Sequence, residues 1–133
     1  MHPKAARLRQ RARQHRFRAL VRQSLDELPV PVRTMLDNVA VVVEDEPETA
    51  RLDEGTLSPG SELFGLYQGI PVSQRNSGYS LVTPDRITVF QGPIERAYRT
   101  RGEMRDQVRV TVLHELAHHL GFDEDQMDRL GLA

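Results

Sequence analysis

The chain has 133 residues, no Cys, no Trp and a formal net charge of −1, with 38% hydrophobic and 28% charged residues. That is one domain's worth of sequence, long enough to bury a single modest core. The missing Cys excludes a disulfide framework, a zinc ribbon and a thiol nucleophile, so any metal must be held by His, Asp or Glu, and the longest apolar run, Val39 to Val43, is too short to span a membrane.

The near-zero charge conceals a split. Residues 1–22 hold eight of the 18 basic residues (Lys4, Arg7, Arg9, Arg11, Arg13, Arg16, Arg18 and Arg22) and no acid. Residues 23–133 carry 10 basic and 19 acidic groups, a net of −9. The implied organisation is a basic, flexible arm over 1–22 and an acidic domain over 23–133. The arm has three readings: a solvated tail, an electrostatic contact with nucleic acid or another acidic partner, or an organelle-targeting presequence. Against the second, Phe17 is the arm's lone aromatic. Arg interrupts every candidate apolar stretch, which argues against a secretory signal and for a cytoplasmic protein.

From about Phe17 the spacing becomes helical, with Phe17, Leu20, Val21 and Leu25 at three- and four-residue steps. Leu28-Pro29-Val30-Pro31 ends that helix, and a shorter one is expected over Val32 to Leu36. Val39 to Val43 reads as a buried strand, and the acidic run from Glu44 to Glu48 as its solvated exit. Residues 50–84 are rich in Gly and Pro; within them Leu63 to Gly69 forms a candidate short strand, and Ser73 to Ser80 a polar, mobile stretch. Arg86 to Gln91 alternates as a strand should, and Gly92-Pro93 stops it before a short helix through Ile94 and Ala97. Gly102 is the expected break before the longest helix, Glu103 to Leu120, whose Val108, Val112, Leu116 and Leu120 form an apolar stripe. Gly121 suits a left-handed helix stop. A last helix covers Glu124 to Leu130, with Met127 and Leu130 inward. Helices mixed with two or three strands make the fold α+β.

The chemistry lies in His114-Glu115-Leu116-Ala117-His118-His119-Leu120-Gly121-Phe122-Asp123-Glu124, which contains H-E-x-x-H on the long helix. At 100° per residue, His114 and His118 differ by about 40° and project from one face, one turn apart, where they can share a metal ion. Glu115 sits about 100° away, flanking the metal, where its carboxylate can reach a metal-bound water as a general base. At this chain's own His and Glu frequencies, the motif would arise by chance about 0.01 times. Gly121 lets the chain turn out of the helix and bring back a third ligand. The spacing favours Glu124, with Asp123 and Asp125 as rivals that could instead cap the last helix. His119 points about 100° from His118, which suits a supporting or surface role. Two His and one carboxylate leave the open fourth position of a catalytic zinc.

This stretch resembles the zincin metallopeptidases, in the H-E-x-x-H-x-x-G-x-x-(H/D/E) layout of the metzincin-like branch. From about Val30 onward, with Leu63 to Pro71 and Pro84 to Phe90 as supporting stretches, the chain is similar to the small bacterial zincin-like metallopeptidase family. The resemblance implies a minimal zincin fold, a small mixed sheet packed on an active-site helix. It implies Zn2+ held by His114, His118 and Glu124, with Glu115 as general base for peptide hydrolysis. It also implies that Arg86 to Gln91 is the edge strand that pairs with an extended peptide or protein substrate. The chain departs from true metzincins in two ways. Nine residues follow Glu124 in this sequence, so a downstream subdomain forming the far cleft wall is not expected, and Met127 is too close to make a methionine turn. The rival readings are a catalytically weak or inactive peptide-binding module and a nucleic-acid-associated protein acting through the arm. Oxyanion support beyond the metal would come from Tyr67, Tyr79, Tyr98 or Arg86.

Overall fold

A computed structural model describes residues 3–48, 63–69, 85–121 and 123–129, the side chains of Glu124 and Met127 aside. In chain order the elements are α1 (Pro3–Asp26), α2 (Val30–Met35), a 3-10 turn (Leu36–Asn38), β1 (Val39–Glu44), β2 (Gly65–Gln68), β3 (Asp85–Phe90), α3 (Gln91–Ala97), α4 (Arg101–His119) and α5 (Glu124–Arg129). The fold is α+β, as expected. The stretch Ser73 to Ser80, with Tyr79, and Leu130 lie outside the described residues.

The three strands form one mixed sheet in the order β1-β3-β2. β1 runs parallel to β3, with Val41 beside Ile87 and Val43 beside Val89. β2 runs antiparallel to β3, with Tyr67 beside Ile87 and Gln68 beside Arg86. The segment Arg86 to Gln91 is therefore not the edge strand. Its residues through Phe90 lie in the centre of the sheet, and Gln91 opens α3. Ile87, Thr88, Val89 and Phe90 are all fully buried, as a strand with a neighbour on each side and helices on a face must be. β1, the β-branched run expected to be buried, is half-buried along its whole length, as the outer strand among those described.

α4 lies across β2 and β3 and against α1. It starts two residues earlier than its apolar spacing suggests, because Thr100 and Glu103 form a capping box. The Glu103 backbone N–H donates to Thr100 Oγ1 at 3.1 Å, and the Thr100 N–H donates to the Glu103 carboxylate at 3.3 Å. Gly102 thus sits inside the first turn and breaks nothing. Val108, Val112 and Leu116 face the core, whereas Leu120 lies past the last helical residue and is exposed.

α1 begins at Pro3, well before the expected start near Phe17, and crosses the boundary drawn at residue 22. Its second half supplies Phe17, Leu20 and Val21 to a core shared with Leu28, Ile87, Val89, Ile94, Val108, Val112 and Leu116. Arg13 ties α1 to the rest of the molecule, donating to Glu95 at 2.7 Å and to Asp45 at 3.1 Å. Partial burial works against the Arg13 charge, but these two carboxylates outweigh it and raise its pKa. Among the described residues no helix is long and apolar enough to cross a membrane.

Candidate metal centre and its cleft

The last two turns of α4 present the histidine pair. The His114 and His118 ring centroids are 4.5 Å apart, with their planes tilted by 44°. His114 is half-buried and His118 exposed, so the pair opens outward from the cleft floor. The helix stops as expected. The Leu120 N–H bonds to the Leu116 carbonyl at 3.0 Å, the Gly121 N–H bonds to the His118 carbonyl at 3.0 Å, and Gly121 takes φ +92°. The chain then turns into α5. There Asp123 Oδ1 accepts from the Gln126 N–H at 2.8 Å, and Gln126 Oε1 accepts from the Asp123 N–H at 2.9 Å. Asp123, one of the three candidates for third ligand, thus caps α5 through Oδ1.

The donor set suits the metal that the motif implies. Two imidazoles one turn apart on one helix face can occupy two corners of a tetrahedral zinc site. Among the described residues no group of three or more His, Asp or Glu side chains gathers to hold an ion. The side chain of Glu124, the expected third ligand, lies outside the described residues.

Glu115 points towards β2. Burial pushes its carboxyl pKa up. The nearby His114 and His118 imidazoles and a hydrogen bond from the Tyr67 backbone N–H pull in the opposite direction without cancelling it. β2 can come this close because Gly65 has no side chain. A Cβ there would press into the Thr111 methyl of α4 and lie 3.0 Å from the Thr88 carbonyl oxygen. Two hollows flank Glu115 along β2. One, of about 240 Å³, is lined by Leu63, Phe64, Val110 and His114 and is mainly apolar. The other, of about 450 Å³, is lined by Tyr67, Gly69, His118 and His119.

The second hollow contains a cluster that sequence reasoning missed. The Tyr67 hydroxyl donates to Asp85 Oδ2 at 2.7 Å, and His119 Nε2 lies 3.5 Å from the same oxygen. The Tyr67 and His119 rings stack at 4.0 Å and 12°. Asp85 is buried at the start of β3. His119, expected to support the site or face solvent, is exposed and lines the cleft beside His118. No motif announces this cluster, because its members come from three elements. The nearest sequence signal is a lone acid, Asp85, opening an apolar strand. Of the other oxyanion candidates, Tyr79 lies outside the described residues, Tyr98 donates to Gln107 at 2.5 Å, and Arg86 donates to Gln68 at 2.6 Å.

Comparison with known proteins gives three findings. A conserved hypothetical protein from Thermo thermophilus superimposes over 86% of this chain and 97% of its own, with 24% identity and a TM-score of 0.49. No curated protein matches the sequence. A family model described as zincin-like metallopeptidase matches residues 36–132, a span that holds the strands, the helix α4 and its histidine pair, and the chain therefore belongs to the zincin-like metallopeptidase family.

Proposed function

We propose that the protein is a zinc-dependent peptidase in which His114, His118 and Glu124 hold the metal and Glu115 is the general base. One observation carries this reading: the paired imidazoles and the Glu115 carboxylate meet at the point where β2 crosses α4, between two hollows. Asp123 is engaged as the cap of α5, and of the remaining candidates Glu124, rather than Asp125, has the spacing that a chain turned at Gly121 serves. A bound zinc ion would supply Lewis-acid polarisation of the scissile carbonyl and of the attacking water.

The remaining chemistry belongs to this chain. Glu115 accepts a proton from the attacking water and returns it to the leaving amine. Its burial favours the protonated form it must pass through. β2 pairs with β3 along one edge, and among the described residues no strand pairs with its other edge. An extended peptide therefore adds along β2, in place of the β3 segment that the family resemblance suggested, and its backbone is fixed by strand-type hydrogen bonds. The apolar hollow at Leu63 and Phe64 then accepts a substrate side chain on one flank of the reacting bond. Tyr67 and His119 provide a polar wall on the other.

The test is Glu115→Gln. The variant keeps the fold and the zinc, and hydrolysis of an unfolded protein substrate falls by at least about 100-fold. Hydrolysis at the wild-type rate would remove Glu115 from the mechanism. Measurable peptide binding with no turnover in the zinc-loaded wild type would replace the peptidase with a binding module.

A further inference from the structure

The cations of α1 fall into a pattern that composition conceals. At 100° per residue, five of the eight basic residues of α1, Lys4, Arg7, Arg11, Arg18 and Arg22, lie within about 60° of one another around the helix. All five are exposed. At 1.5 Å per residue they form a straight line about 27 Å long. The core-facing residues of the same helix, Phe17, Leu20, Val21 and Ser24, are centred about 130° away. Arg13, which points towards the body, is taken up by Glu95 and Asp45. Among the described residues no ion pair joins Arg7, Arg11, Arg18 or Arg22 to a carboxylate. The helix that carries the ridge is fixed to the body by Arg13 and by three apolar core residues in its second half.

We propose that this ridge docks the phosphate backbone of double-stranded DNA without reading its sequence. Four features point to that partner. Duplex DNA carries one negative charge per about 1.7 Å of axis, and a single helix fits its major groove with phosphates on both sides. Residues 1–22 contain no acid to oppose the approach. The net −9 of residues 23–133 turns the rest of the molecule away from a polyanion and directs contact to α1. The helix's one Phe, Tyr or Trp, Phe17, is buried, so no extended stacking platform for single-stranded bases lies along it. A lipid surface fits less well. A helix lying on a membrane inserts an apolar face, and here that face is in the core, with Leu8 the one exposed large apolar residue of α1. This inference is independent of the peptidase reading.

The experiment is fluorescence anisotropy of a labelled 20-base-pair duplex of arbitrary sequence with the full-length protein. With about four phosphate contacts, affinity falls about 150-fold between 50 and 200 mM salt. Substituting Arg7, Arg11, Arg18 and Arg22 by Gln removes most of that slope and weakens binding at 50 mM salt by at least about tenfold. Substituting the exposed off-ridge Arg99 and Arg101 by Gln leaves both unchanged. If the fourfold variant melts early, the pair Arg7→Gln and Arg11→Gln, which precedes the packed segment, carries the same test with about half the slope change. Three results would each overturn the proposal: no duplex binding by the wild type at 50 mM salt, equal losses from ridge and off-ridge variants, or binding to phosphatidylserine vesicles with none to the duplex.

Discussion

Gly65→Ala probes the contact that forms the cleft. The added methyl would press into the Thr111 methyl and lie 3.0 Å from the Thr88 carbonyl oxygen. Neither neighbour yields easily, since one is a β-branched side chain on a helix and the other is backbone in the central strand. Relief requires β2 to shift away from α4. Overpacking of a buried site costs about 1–3 kcal/mol. For a chain of this length each kcal/mol lowers Tm by roughly 3–4 °C, so thermal unfolding followed by circular dichroism should show a drop of about 3–12 °C. Thr111→Ser removes the obstructing methyl and keeps the Oγ that accepts from Gln107 at 2.9 Å. Adding it to Gly65→Ala should restore stability, with a coupling energy of about 1 kcal/mol or more in a double-mutant cycle. A Gly65→Ala variant within about 0.5 kcal/mol of wild type would refute this account of how β2 rests on α4. So would a Thr111→Ser background that recovers nothing.

Two further predictions concern polar contacts. Asp85→Asn weakens the bond from the Tyr67 hydroxyl and the approach of His119. It should lower the unfolding free energy by about 1–3 kcal/mol in urea titrations, and Tyr67→Phe should cost much less in that background than in wild type; additive losses would show that the pair does not interact. The hydrogen bonds from Arg96 hold the Glu46 carboxyl below its ordinary pKa. A depressed carboxylate contributes stability above its unfolded-state pKa and loses it as pH falls through the folded-state value. The pair is exposed, so Glu46→Gln should cost less than about 1 kcal/mol at pH 7, and its urea midpoint should converge on that of wild type at pH 3. A gap that persists at pH 3 would assign the loss to packing instead of charge.

The features legible in the sequence are those set by local chemistry. The histidine pair needs only the helical period, the end of α4 needs only Gly121, and Gly65 to Gln68 lies inside the stretch Leu63 to Gly69 read as a short strand. The start of α1 was hidden because Arg-rich composition suggested a tail. The segment between Pro3 and Asp26 nevertheless contains no Gly or internal Pro and is rich in Arg, Ala, Gln and Leu, all strong helix formers. Strand order is a long-range property. Arg86 to Gln91 alternates as an edge strand would, yet its polar Thr88 is fully buried between two neighbouring strands. The Tyr67, Asp85 and His119 cluster was out of reach for the same reason. It depends on the register that sets Gln68 beside Arg86 and on α4 lying over both strands.

Zinc stoichiometry tests the central claim most directly. Wild-type protein is reconstituted with zinc, dialysed and analysed by elemental mass spectrometry beside His118→Ala and Glu115→Gln. The account predicts one zinc per chain in wild type and in Glu115→Gln, and none in His118→Ala, because the ligand pair on α4 is broken while the flanking base is not a ligand. A wild-type protein that retains no zinc, or a His118→Ala variant that retains as much as wild type, would contradict it.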